Sequence, residues 1–266
     1  NAQAVAYARE HMHYRNSTVA GRELLTEAMK FRMGRVTLDG VRHELGKAPG
    51  VIRETLNGVD YVTDHGIRGE EEAVIRFASE KRGSLAPLGR LNAEVPELLP
   101  GTTHKPTTSQ AAAMRHVWDS RDPVTLVLGK PGAGKSEMLK AALSHVRCDY
   151  VVTAPTATAS RENLVDAGFE GAETVAAFLG SEKLQEKARN GLIVLDEGSL
   201  LGGVDAARLF QLADQLNARM LVLGDRMQHK SPGRGDLLKL LVEHAEVPFA
   251  HLSEIVRQKG RLLEAV

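Results

Sequence analysis

Cysteine is almost missing: Cys148 is the single thiol in 266 residues. No internal disulfide framework can form, a reducing compartment is expected, and Cys148 itself reads as a small core residue near a strand start. Aromatic residues are scarce at 4%, so extensive base stacking on a nucleic acid is not expected of this stretch. A surplus of either charge is missing too, with 34 Lys plus Arg balanced by 34 Asp plus Glu. Bulk charge therefore leaves no nucleic-acid footprint, and any such surface has to be local. The longest apolar runs, such as 124–128 and 192–195, are far too short to cross a bilayer, so no membrane insertion is expected. No basic-then-apolar leader opens the chain, which leads to the expectation of a cytoplasmic protein. The first residue is Asn1 rather than Met, as in a processed chain or a piece of something longer.

What is present falls into two parts, expected at 1–100 and 101–266. The first is mostly helical. Ala2–Tyr14 and Val19–Met33 have helical apolar spacing, Gly34 is placed to stop the second helix, and Thr37 can cap a third through about Leu45. In "VIRETLNGVDYVT" the pair Asn57-Gly58 separates two alternating runs and suits a type I′ hairpin turn. Three helices followed by a hairpin is the order of a winged-helix unit. Glu70–Lys81 reads as one more helix. His11 and His13 read as a solvated helix face, because residues two apart do not share a helix side. From about Gly83 to Thr107 the chain carries Pro87, Pro96, Pro100 and Pro106 with little periodicity, as a linker does, which places a boundary near Pro100.

The second part alternates. Apolar runs at 124–128, 150–154, 192–195, 220–223 and 249–252 are separated by helical patterns such as Glu137–His145 and Ala206–Gln215. That alternation means an α/β domain with a mainly parallel sheet, and the unbroken apolar runs mean strands buried on both faces. Ligands of such sheets sit at the carboxyl ends of the strands. Each motif below falls at one.

"VLGKPGAGKS" runs a strand into a glycine-rich turn and opens a helix, matching the full phosphate-loop pattern. Gly129, Pro131, Gly132, Ala133, Gly134, Lys135, Ser136 and Glu137 form the candidate nucleotide-binding set. Glycines let backbone amides curl around phosphate oxygens, and the helix start adds positive potential. Lys135 is expected to hold the β and γ phosphates, and the Ser136 hydroxyl to ligate Mg2+. "LIVLDEGS" then delivers two acids to a strand end. Asp196 would bind the magnesium, directly or through water, and Glu197 would orient and deprotonate the attacking water. ATP hydrolysis is the inference. A small-molecule kinase would not need the second acid, so the pair favours a hydrolase that turns phosphate release into movement.

Three further strand-end segments narrow the choice. "VTAPTATASREN" offers hydroxyls, with Thr156 and Thr158 as candidates for a phosphodiester backbone. "LVLGDRMQHKSPGRGD" places Gln228 where it could sense the γ-phosphate, and "LSEIVRQKG" supplies Arg257. Together with "TSQAAA", this ordered set resembles RecD-like superfamily-1 DNA helicases, and is most similar to the motor region of TraI/TrwC-type conjugative relaxases. The N-terminal "RELLTEAM…GRVTLDGVRHEL…YVT" is similar to the stretch preceding that motor. The resemblance covers nearly the whole chain and implies a RecA-like domain that uses ATP and Mg2+. It also implies 5′-to-3′ movement on single-stranded DNA during plasmid transfer, with the conjugation machinery as a partner.

Read through the likeness, Gln110 would recognise the adenine edge, Gln228 would couple the γ-phosphate to DNA contacts, and Arg257 would stabilise γ-phosphate charge. His229, Lys230 and Arg234 would touch strand phosphates. Two departures stand out. Gly198 occupies a position where the family usually carries Ala, and the second RecA-like domain of such motors is not within these residues. Either a longer polypeptide supplies that domain, with a transesterase domain before it if the protein is a relaxase, or these residues bind ATP and hydrolyse it poorly. The alternatives are a free-standing RecD-like repair helicase and a non-catalytic module that binds single strands or recruits partners. The four tyrosines lie beside no three-histidine cluster, so no nicking chemistry is assigned to this chain.

Overall fold

The structure is a computed structural model and describes residues 1–31, 34–227 and 233–254. Its contacts divide it into two compact units, and the division falls inside a helix, between Glu72 and Ala73.

The first unit takes in Asn1–Glu72, with Gly202–Val204 and 233–235. Its elements are α1 (Ala2–His13), β1 (Val19–Ala20), α2 (Gly21–Lys30), α3 (Leu38–Lys47), β2 (Val51–Leu56), β3 (Val59–Asp64) and the start of α4 (His65–Ser79). The strands form an antiparallel sheet in the order β1-β3-β2. Helix, strand, two helices and a hairpin is the winged-helix order. Asn57 and Gly58 both have positive φ, at 52° and 76°, as a type I′ turn requires. Thr37 caps α3 by accepting from the Gly40 amide at 3.3 Å. The small core joins Ala4, Val5 and Ala8 of α1 to Leu24 and Ala28 of α2, Val41 and Leu45 of α3, and Val62 of β3.

Three expectations change here. Val19 and Ala20 do not begin a helix but form β1, with Val19 opposite Val62 and Ala20 opposite Tyr61. A third strand was available to pair with them, and that outweighs helical spacing in a two-residue stretch. α4 starts at His65 rather than Glu70, because Asp64 at the end of β3 accepts from the Gly66 amide at 2.8 Å and turns the chain directly into the helix. His13 is buried rather than solvated, its Nδ1 lying 3.0 Å from the Asn16 carbonyl.

The second unit is built on six strands, all paired in parallel. α5 (Thr108–Asp119) leads into β4 (Val124–Gly129), α6 (Lys135–Leu143), β5 (Tyr150–Ala154), β6 (Glu173–Thr174), α7 (Val175–Leu179) and α8 (Glu182–Ala188). Then come β7 (Leu192–Leu195), α9 (Gly203–Gln215), β8 (Arg219–Gly224) and β9 (Phe249–Leu252). The spatial order is β6-β5-β7-β8-β4-β9. The chain leaves β4 toward one side of the sheet and later returns to β9 on the other, so connections diverge at the carboxyl end of β4, where ligands of such folds bind.

Side chains alternate between two cores, one on each face of the sheet. Leu126 and Leu128, Ile193 and Leu195, and Met220 and Val222 pack with Leu209, Phe210 and Ala213 of α9. Val127, Val194, Leu221 and Leu223 pack with Met114, Val117 and Trp118 of α5 and with Met138, Leu139 and Ala142 of α6. This double burial is why the strands read as unbroken apolar runs.

The proline-bearing stretch read as a linker lies within this second unit, so the contact boundary is not near Pro100. Leu88 and Leu99 enter the core beside Trp118. The Gly89 amide donates to the Trp118 carbonyl at 2.8 Å, and the Leu88 carbonyl accepts from the Arg147 amide at 3.1 Å. A Cβ on Gly89 would come within 2.4 Å of the Trp118 Cβ, so the strap lies against α5 at a distance only glycine allows. Isolated anchors with no period leave no pattern in the sequence.

Candidate functional site

The phosphate loop follows from β4. Six buried residues carry the chain to Gly129, whose own Cβ position lies 2.9 Å from the Leu252 Cβ on β9. The turn then needs left-handed backbone at Gly132 (φ 80°) and Gly134 (φ 71°). Ala133 between them is buried in the core with α5 and α6, so the loop is pinned at its centre. α6 opens at Lys135 with Gly134 as its N-cap and no side chain satisfying its first amides. Those amides remain available to an anion. The Lys135 ammonium donates to the Gly129 carbonyl at 2.8 Å and to the Lys130 carbonyl at 3.3 Å, drawing the two arms of the loop together.

Asp196 and Glu197 stand at the end of β7. The Asp196 amide donates to the Thr153 carbonyl at 2.9 Å, which continues the sheet to the edge of the site. Its carboxylate accepts from the Glu197 amide at 2.9 Å. Glu197 adopts φ 51°, the left-handed region where a non-glycine residue is uncommon and marks stored strain. Gly198 is buried, and a Cβ there would meet Val222 Cγ1 at 2.8 Å. Glycine in place of the family's usual alanine thus suits this packing.

Both acids are electrostatically poised. Burial pushes the Asp196 carboxyl above its ordinary range, opposed by the Glu197 amide and the Lys135 charge. Burial also raises Glu197, the Asp196 charge raises it further, and Lys135 opposes. These residues face a common cleft of about 370 Å³ that also takes in Gly132, Gly134, Ser136 and Glu137. The loop, the cation and the two acids are therefore brought together as expected.

The cleft suits a magnesium-bound triphosphate. Ser136 and Asp196 offer hard oxygen donors, and Asp196 is a buried carboxyl that a cation would relieve. Among the described residues no three His, Cys, Asp or Glu side chains converge as a metal cluster. Few protein ligands, with phosphate oxygens completing the shell, is the usual arrangement for Mg2+.

A pH-dependent stability follows. A carboxyl whose folded pKa is raised contributes stability that is full below its ordinary value, near 3.8 for Asp196, and lost as pH rises through the folded value. At pH 7.5 the nucleotide-free protein therefore carries a penalty that Asp196→Asn removes. The variant should melt higher than wild type at that pH, with about 2–4 °C gained for each kcal/mol relieved. That advantage should vanish as pH falls toward 4. Thermal melts across pH without nucleotide check it.

Other expected site residues lie elsewhere. Gln110 is 1% exposed. Its Oε1 accepts from the Thr107 amide at 2.9 Å, completing a capping box on α5. Its Nε2 donates to the carbonyls of Ala133 at 3.4 Å and Gly134 at 3.2 Å. It therefore ties α5 to the phosphate loop. Arg234 is likewise committed: Nη2 donates to both carboxylate oxygens of Glu70 at 2.8 and 2.9 Å within the first unit. In this structure its guanidinium is paired within the protein. Thr156 and Thr158 are exposed beyond β5, and the Thr156 hydroxyl accepts from the Ala159 amide at 3.2 Å. Gln228, His229, Lys230 and Arg257 lie outside the described residues.

Sequence reasoning missed Asn163 and Asp166. They line the nucleotide cleft from the π-helical turn and the residues after it, following β5. Their signal was faint: "SREN" closes a segment read for hydroxyls alone.

A parallel sheet with a glycine loop on one strand, a lysine at its end and an acid pair, one member buried, two strands away defines a P-loop nucleotide-binding domain. The AAA domain family matches residues 105–266, more than half of the chain, and the chain belongs to that family. Among curated proteins it is similar to the multifunctional conjugation protein TraI of Escherichia coli K12, with 31% identity over 74% of this chain and 11% of the relative. A second TraI, also of Escherichia coli, is 28% identical over 99% of this chain and 16% of its own length. The chain thus spans less than a fifth of either relative. Among solved structures, a Bacteroides Pif1 helicase with ADP-AlF3 and single-stranded DNA has a TM-score of 0.43 at 20% identity, covering 60% of this chain and 44% of that one. The resemblance to TraI-type conjugation proteins is borne out.

Proposed function

We propose that this chain is the nucleotide-binding first motor domain, with its winged-helix-like leading unit, of an ATP-dependent DNA helicase in a conjugative relaxase. It would move 5′ to 3′ on single-stranded DNA during plasmid transfer, in the bacterial cytoplasm. The observation that carries the reading is the meeting of Lys135, on the loop after β4, with buried Asp196 and half-buried Glu197 at the end of β7. Similarity to TraI along nearly the whole chain supports the conjugative setting.

When bound, a magnesium nucleotide supplies a phosphoanhydride whose hydrolysis can drive movement. The chain's own residues divide the remaining work. The α6 start and the loop amides hold phosphate oxygens, and Lys135 places a positive charge among them. Ser136 and Asp196 would hold the ion. Glu197, its basicity raised by burial and by Asp196, accepts a proton from a water it orients. Gln228 and Arg257 are proposed to sense and stabilise the γ-phosphate, and Thr156, Thr158, His229 and Lys230 to meet the strand. A second RecA-like domain and a transesterase domain would come from the rest of a longer polypeptide.

The test is phosphate release by the full-length protein with and without single-stranded DNA, paired with unwinding of duplexes bearing a 5′ or a 3′ tail. DNA-stimulated release and unwinding from the 5′ tail are expected. Absence of any stimulated release would leave a binding or recruitment module, and unwinding from the 3′ tail alone would overturn the polarity.

A further inference from the structure

The first unit holds a hollow of about 590 Å³ between α2, α3 and the β2–β3 hairpin, and three arginines line it. Their placement repeats a rule. Arg22 stands one turn before Leu25 on α2, and Arg42 one turn before Leu45 on α3, so each helix turns a guanidinium and an apolar neighbour the same way. Arg53 on β2 is directly opposite Val62 on β3, and opposed residues share a sheet face. Leu45 and Val62 belong to the core of the unit, so the floor is apolar and the arginines form the rim.

The rim is uncompensated. Arg22, Arg42 and Arg53 are exposed, and none has an ion-pair partner among the described residues. Among the described residues Asp60 is the one acid in the lining, and its carboxylate accepts the Thr55 hydroxyl. Three cations against one anion in a chain of zero formal charge is a local electropositive site.

We propose that this hollow is a second contact for single-stranded DNA, distinct from the motor residues, in which the three guanidiniums hold successive phosphates. Arginine's planar fork suits phosphate oxygens better than a point charge does. The site is concave, whereas a duplex is read by an element that projects into its groove. Among the described residues no aromatic side chain lines it, so contact falls on the backbone without sequence preference. Apolar sugar faces can lie on the floor. The proposal rests on the DNA reading above for its class of ligand and on nothing else in it.

Binding of a fluorescein-labelled oligo-dT by the whole chain, without nucleotide and across a NaCl series, tests it. Arg22→Ala/Arg42→Ala/Arg53→Ala should bind about ten-fold or more weakly near 0.1 M salt. Its log–log salt slope should be shallower by about two, at about 0.7 per lost phosphate contact. The matching triple lysine variant should restore the slope, and Arg15→Ala/Arg35→Ala, exposed in the same unit but outside the hollow, should match wild type. Affinity for a fluorescent nucleotide should be unchanged. A wild-type slope in the triple alanine variant overturns the proposal and leaves the motor reading intact, whereas wild type that binds no oligo-dT sinks both. Loss confined to a duplex of the same length overturns it in favour of double-strand binding. Loss confined to a poly-glutamate peptide overturns it in favour of an acidic protein partner.

Discussion

Replacing Lys135 by alanine is expected to cut DNA-stimulated phosphate release by about 10²–10³-fold, the usual cost of removing one preorganised charge from a developing anion. Two effects add. The ammonium is the positive group that opposes the raised pKa values of Asp196 and Glu197, so its loss leaves two acids facing the cleft with less to balance them. It also bridges the Gly129 and Lys130 carbonyls, so the loop loses the tie between its arms. Nucleotide affinity should fall along with the rate. Fold stability should change little, because Ala133 still anchors the loop in the core. Phosphate-release kinetics with a fluorescent-nucleotide titration check this, and a rate within two- or three-fold of wild type would refute the role.

Glu197→Gln separates binding from chemistry. Glutamine keeps the shape and tolerates the same backbone, but it cannot accept the proton. Hydrolysis should drop by about 10²–10⁴-fold, the range for loss of a positioned general base, while nucleotide affinity stays within a few-fold. The pH dependence has a definite sign. Burial and the Asp196 charge raise the Glu197 pKa, so the wild-type rate should climb as pH rises through that value and Glu197 becomes charged. The glutamine variant should show a low rate without that rise. Equal losses in affinity and rate would instead make Glu197 a structural residue.

Much of this was legible because double burial writes plainly. "LIVL" and "MLVL" mark β7 and β8 by their unbroken apolar character, and the Asn57-Gly58 hairpin by its φ requirements. The acid pair was readable from its place after such a strand. Short elements were not: β1 and β6 have two residues each and exist only because a neighbouring strand offers hydrogen bonds. The stretch from Gly83 to Thr107 read as a linker because Leu88 and Leu99 dock singly rather than periodically. Thr107 and Gln110 spelled a capping box that would have marked the start of α5, yet Gln110 was read only through a family role. Arg234 shows a general limit, since an arginine in a polar loop looks the same whether it meets a phosphate or, as here, Glu70.

β8 lies between β4 and β7, and that arrangement sets a gauge. Adjacent strands are about 4.8 Å apart, so the lysine-bearing and acid-bearing strands are held roughly 10 Å from each other by main-chain bonding alone. Such an interval admits a tetrahedral anion together with one small ion and a solvent molecule. Because no side chain determines it, substitutions at the mouth of the sheet can retune reactivity while the jaws keep their spacing.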